Sequence, residues 1–149
     1  MATWIQRLFS LESRFLWAVV GVAILIRVFH AADGITWWPD SSAYIKSMEA
    51  LFQWNMPEFM IERTPGYPVF LGIMQWLSPG DEKTVFETTI GLFQAGMGLL
   101  MALMVAEIAF VLFKRPKLAV AVGIITALSP NLLYYEHNVL TETYFGFFV

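Results

Sequence analysis

The chain contains no cysteine, which excludes a disulfide framework and any thiolate metal site. Charge is scarce as well: 14% of the 149 residues are charged, against about a quarter in a usual soluble domain. The few lysines and arginines are scattered and the net charge is −3, so no basic stripe exists for a nucleic acid to follow. A glycine-rich phosphate loop, HExxH, GxSxG and paired cysteines are all missing, which leaves soluble nucleotide chemistry without support. With two histidines, His30 and His137, the sequence indicates no metal site and no certain cofactor.

What is abundant is apolar surface: 58% of the residues are hydrophobic, which marks the chain as a membrane protein. Phe15 to Ala32 gives 18 residues, about 27 Å of helix, just enough to cross a hydrocarbon layer of about 30 Å. This run is too long for a signal-peptide core and has no small-residue cleavage site, so it reads as a retained span. Thr89 to Phe113 is a second span and Leu118 to Tyr135 a third, with Tyr134 and Tyr135 suited to an interfacial belt. A fourth apolar run starts near Thr143. The fold class expected is therefore an all-α membrane protein: three transmembrane helices, over about 15–32, 89–113 and 118–135, plus the start of a fourth over 143–149, as one N-terminal portion of a larger polytopic fold. Residues 33–87 form a long first extracytoplasmic loop.

The stretch MIERTPGYPVFLGIMQWLS within that loop is oily but broken by Pro65 and Pro68. Only Tyr67 to Ser78 can run as uninterrupted helix, about 18 Å, too short to cross. The positive-inside rule agrees. With this stretch lying at the surface, the Lys114, Arg115 and Lys117 cluster falls on the same side as Arg7 and Arg14, which is cytoplasmic, as is the N-terminus. The localisation expected is a bacterial inner membrane. Upstream, PDSSAYIKSMEALFQW places Tyr44, Ile45, Met48, Leu51 and Phe52 on one helical face and Lys46, Glu49 and Gln53 on the other, as in a helix lying in the interface plane. Trp37, Trp38 and Trp54 would anchor it at headgroup level. Gly91, Ala95, Gly98 and Ala102 form a small-residue seam for a helix-packing partner, or for ordinary packing within the bundle, which is the preferred reading.

Each polar candidate carries two readings. Asp40 opens the amphipathic helix as an N-cap, a geometry that would also hold an ionised general base at the membrane surface. Arg27, one turn from the outer end of the first span, snorkels to the interface or marks a functional site; Arg63 is a solvated loop charge beside TPGYP or a phosphate ligand. Glu142, beside Thr141, reads as a helix-start signature or as an acid on the same face as Asp40. Glu107, deep in the second span, pairs within the bundle or reaches toward Lys114 and Arg115.

Taken in order, the arginine near the end of the first span, PDSSAY, RTPGYPVFLGI, the basic turn and ALSPNLLYYEHNVLTETYF resemble the N-terminal part of the C-type integral-membrane glycosyltransferases. These enzymes use polyprenyl-phosphate-linked sugars and include protein O-mannosyltransferases and lipid A aminoarabinose transferases. The resemblance implies an extracytoplasmic transferase with Asp40 as catalytic base, Glu142 as a second acid, and Arg63, Arg27 and Tyr67 toward the lipid carrier. The family pattern often has two adjacent acids where this chain has Asp40 followed by Ser41. Members run to several hundred residues, so these 149 residues are expected to be inactive alone. The competing expectation is a noncatalytic transmembrane subunit or packing module of a larger membrane complex. A transporter fragment has thinner support, from Glu107 and Arg27 within spans.

Overall fold

The computed structural model describes residues 16–31, 34–37, 39–53, 66–78 and 83–138. Six helices account for most of them: α1 (Leu16–His30), α2 (Pro39–Phe52), α3 (Gly66–Leu77), α4 (Lys83–Phe113), α5 (Pro116–Ala127) and α6 (Pro130–Glu136). Among the described residues there is no strand, only an isolated parallel bridge between Thr36 and Asn138. The described part of the chain is thus all-helical, as expected. It divides into two compact units, one comprising residues 1–32 and 95–133, the other 33–94 and 134–149.

In the first unit α1 is an unbroken apolar run whose last turn carries Arg27 and His30, basic groups that suit the negative end of the helix dipole. Its packed face is made of Leu16, Val19 and Ala23, set against Ala102, Leu103 and Ala106 of α4 and Ala127 of α5. Small side chains dominate this contact, and α5 contributes Gly123, buried where a side chain would meet Ala106 and Val19. The outward faces are the reverse: Trp17, Leu25 and Phe29 on α1, Ile108 and Leu112 on α4, and Ile125 on α5 are all exposed. Small residues inside and large apolar residues outside is the pattern by which helices pack in lipid, where burial of large side chains gives no advantage.

Helix α4 has 31 residues, about 46 Å, and is the one described helix that is long and apolar enough by itself to cross a membrane. It begins at Lys83, six residues before Thr89, where the sequence places the start of the span. The 19 residues of α4 assigned to the first unit, 95–113, measure about 28 Å, close to the hydrocarbon thickness. Lys114 ends the helix in a left-handed conformation, φ 53°, with its N–H on Phe110 O at 2.8 Å. Arg115 is extended, as a residue preceding proline should be, and Pro116 opens α5 without needing an N–H partner.

The segment read as one span over 118–135 is two helical pieces. Pro130 lacks an N–H to continue the ladder, Ser129 N–H turns back to Thr126 O at 3.1 Å, and α5 and α6 meet at 48°. The pair has the character of a broken span or a re-entrant loop. Helix α1 is apolar over 15 residues; Phe15 and Ala32, the ends of the 18-residue span read from the sequence, lie outside the described residues. The fourth run, over 143–149, lies outside the described residues.

The second unit is built from the stretch read as a loop. Helix α3 starts at Gly66 with Pro68 in its first turn, and its 12 residues are too short to span, as the prolines predict. Helix α2 packs on α3, and Tyr44, Met48, Tyr67, Leu71 and Met74 form a core closed by Ile90 of α4. The buried face of α2 differs from the expected one. Ser41 and Ser47 are buried beside Tyr44 and Met48, whereas Phe52 is exposed, because the face is chosen by contact with α3 rather than by hydrophobicity alone. Gly34 leads into this unit with φ +71°, a conformation open to glycine without steric cost.

Candidate functional site

The second unit gathers three of the segments that carry the sequence resemblance. Tyr67, from TPGYP, is 1% exposed. Its ring meets Tyr44, from PDSSAY, edge-on at 5.1 Å and stacks on Phe70 at 5.6 Å. The Tyr67 hydroxyl also accepts a long hydrogen bond, 3.4 Å, from Gln94 Nε2 of α4. The same nitrogen donates to the backbone carbonyl of Asn138, in YYEHN, at 3.0 Å. Asn138 Nδ2 closes back on Tyr134 O at 2.5 Å, and Thr36 N–H donates to His137 O at 2.7 Å. Gln94 is therefore the joint between TPGYP and YYEHN. Its Oε1 is buried and, among the described residues, accepts no hydrogen bond.

At the start of α4 a second cluster holds the Trp37 segment. The indole N–H of Trp37 donates to Glu87 Oε1, Lys83 Nζ lies 3.5 Å from the same carboxylate oxygen, and the Lys83 ammonium sits 5.1 Å from the centre of the Trp37 ring. Trp37 thus has packing and hydrogen-bonding partners within the protein.

Asp40 is exposed and lies in the first turn of α2, where the helix dipole favours a carboxylate. It is not the N-cap expected from sequence: Pro39 already occupies the first helical position, which suits its fixed φ, and Asp40 follows inside the turn. Ser42 Oγ donates to Pro39 O at 2.7 Å in the same turn. Arg27 belongs to the first unit, is 8% exposed, and turns one guanidinium nitrogen back onto Ala23 O of its own helix at 3.0 Å. Arg63 and Glu142 lie outside the described residues. The structure therefore brings Tyr67 together with Tyr44, Gln94 and Asn138 in the unit that also carries Asp40.

Two seam residues have internal roles. Gly91 faces Ile35 in the second unit and Ala102 is in the core of the first. Among the described residues no three histidine, aspartate or glutamate side chains converge as a metal site. Sequence reasoning missed Gln94 and the full burial of Glu136 and Asn138. A signal for Gln94 was available, since a lone amide within an apolar run must find a partner for its polar atoms. No family model, curated protein or solved structure matches this chain.

Proposed function

We propose that the chain is the N-terminal portion of a membrane glycosyltransferase that moves a sugar from a polyprenyl-phosphate carrier to an acceptor hydroxyl at the extracytoplasmic face. The observation that carries this reading is the convergence of PDSSAY, TPGYP and YYEHN, distant in sequence, through the Tyr44–Tyr67 contact and the Gln94 joint. In this reading α1, α4 and the bent α5–α6 pair are spans of a bacterial inner membrane, and the N-terminus and the Lys114–Lys117 turn are cytoplasmic. The Ala- and Gly-rich interior of the first unit beneath its large apolar exterior supports the membrane setting.

The chemistry asked of the chain is modest. Asp40 takes the proton of the acceptor hydroxyl as its oxygen bonds to the anomeric carbon; the carbon–oxygen bond to the carrier breaks and the phosphate leaves with the electron pair. A phosphate is a stable anion that needs no protonation, so a cation suffices to hold it, the role given to Arg63. Glu142 acts as the second acid and Tyr67 fixes the TPGYP turn toward the carrier. Asp40→Asn in the full-length gene product, assayed in membranes with polyprenyl-phosphate sugars, should lower transfer by about 10² or more, the usual scale for a lost general base, with insertion unchanged. Turnover within a few-fold of wild type would remove Asp40 from the mechanism.

A further inference from the structure

Glu107 is the one acidic residue in the 95–113 part of α4, six residues before its end. It is half-buried, and among the described residues it makes no hydrogen bond or ion pair. Lys114 is seven residues further on, about 10 Å along the axis, and past the helix end. At helical spacing around Glu107 stand Leu100, Met104 and Val111, all exposed. Gly96 continues the same stripe, and a side chain added there would meet nothing within 4 Å. The stripe is thus an apolar face with a notch at one end and a single carboxylate set into it.

We infer that this face of α4 docks a second membrane helix that carries an arginine at the depth of Glu107. The inference rests on the reading of α4 as a membrane span. Lipid chains offer no hydrogen-bond donor, so a carboxylate about 9 Å inside the end of a span needs a partner from another helix. Arginine fits best because it stays charged and its planar fork donates two parallel hydrogen bonds to a carboxylate. Gly96 lets the partner backbone approach closely at the other end of the contact.

Residues 1–149 hold no cysteine to compete with an introduced one. With a photoreactive benzophenone amino acid replacing Met104 in the full-length protein in its native membrane, mass spectrometry should identify an adduct to an arginine-bearing membrane helix. Glu107→Leu, which suits a lipid-facing position and should fold, is expected to lower that adduct at least tenfold. Exchanging charges, Glu107→Arg with the partner arginine changed to glutamate, should restore it to within twofold. Adducts to lipid alone, an adduct confined to residues 1–149, or a yield indifferent to Glu107→Leu would overturn the inference. A separate arm tests the underlying reading: Val111→Cys should react with a water-soluble maleimide far more slowly than Lys114→Cys. Equal rates would sink the membrane span itself, and with it this contact.

Discussion

The closeness of α1, α4 and α5 can be tested at a single atom. A Cβ added at Gly123 would lie 2.8 Å from Ala106 Cβ and 2.9 and 3.0 Å from the two Cγ atoms of Val19. Carbon atoms prefer about 3.5–4.0 Å, so three contacts would each be short by about 0.5 Å or more. None can yield by rotating away: Ala106 has no rotamer, and Val19 is β-branched and 0% exposed. The helices must part, an overpacking cost of about 1–3 kcal/mol. Against this stands the helix-propensity gain of alanine over glycine, about 1 kcal/mol. Gly123→Ala should therefore lose about 1 kcal/mol net. Gly21→Ala, with nothing within 4 Å, should gain most of that propensity term. Gly72→Ala falls between: the new Cβ would overlap the Phe52 ring, but that ring is 59% exposed and can swing aside, leaving an effect near zero. Thermal unfolding of the detergent-solubilised protein, followed by circular dichroism, should rank them Gly21→Ala, Gly72→Ala, Gly123→Ala from most to least stable. Stabilisation by Gly123→Ala equal to that by Gly21→Ala would refute the described contact among the three helices.

The same measurement addresses the second unit. Gln94→Leu should lose about 1–2 kcal/mol, because the Asn138 carbonyl loses its donor in a buried setting, partly offset by removal of the unsatisfied Gln94 Oε1; a neutral result would mean the joint carries no weight. Trp37→Phe, which keeps a ring beneath Lys83 but removes the N–H donor to Glu87, should cost about 1 kcal/mol. Lys83→Met should cost less, since the lysine side chain is 73% exposed and its pairing is screened. The reverse order would show that the cation, not the indole hydrogen bond, holds the Trp37 segment.

Much of the architecture is readable from local chemistry. Pro65 and Pro68 confine α3 to a short helix beginning at Gly66, and the Lys114–Lys117 turn is written in Arg115-Pro116, which forces extension and then a fresh helix start. Apolar content marks the body of α4 but not its beginning, because the turns from Lys83 are polar and are held by contacts with Trp37 that no periodicity encodes. Burial of Ser41 and Ser47 was illegible for a related reason: a hydroxyl goes inside when a neighbouring helix covers it, and only the pairing of α2 with α3 supplies that cover. Of the candidate site, Tyr67 and Asp40 are singled out in the sequence by their motifs. Gln94 and Asn138 are not, since their roles arise from a contact across 44 positions of chain.

The alanine and glycine interior of the first unit changes what substitution does to it. In a water-soluble fold the damaging replacements are usually those that shrink the centre. Around α1, α4 and α5 the centre sets Ala23, Ala102, Ala106, Gly123 and Ala127 beside Leu16, Val19 and Leu103, so enlarging a small residue does as much harm as shrinking a large one. Other bulky groups point outward, where, in the membrane setting proposed above, one aliphatic residue serves a lipid tail about as well as another. Sequences that keep this arrangement can drift freely in which large apolar residue they display. They are held instead to a handful of positions that must stay minute, so kinship among such chains would be written in their smallest residues.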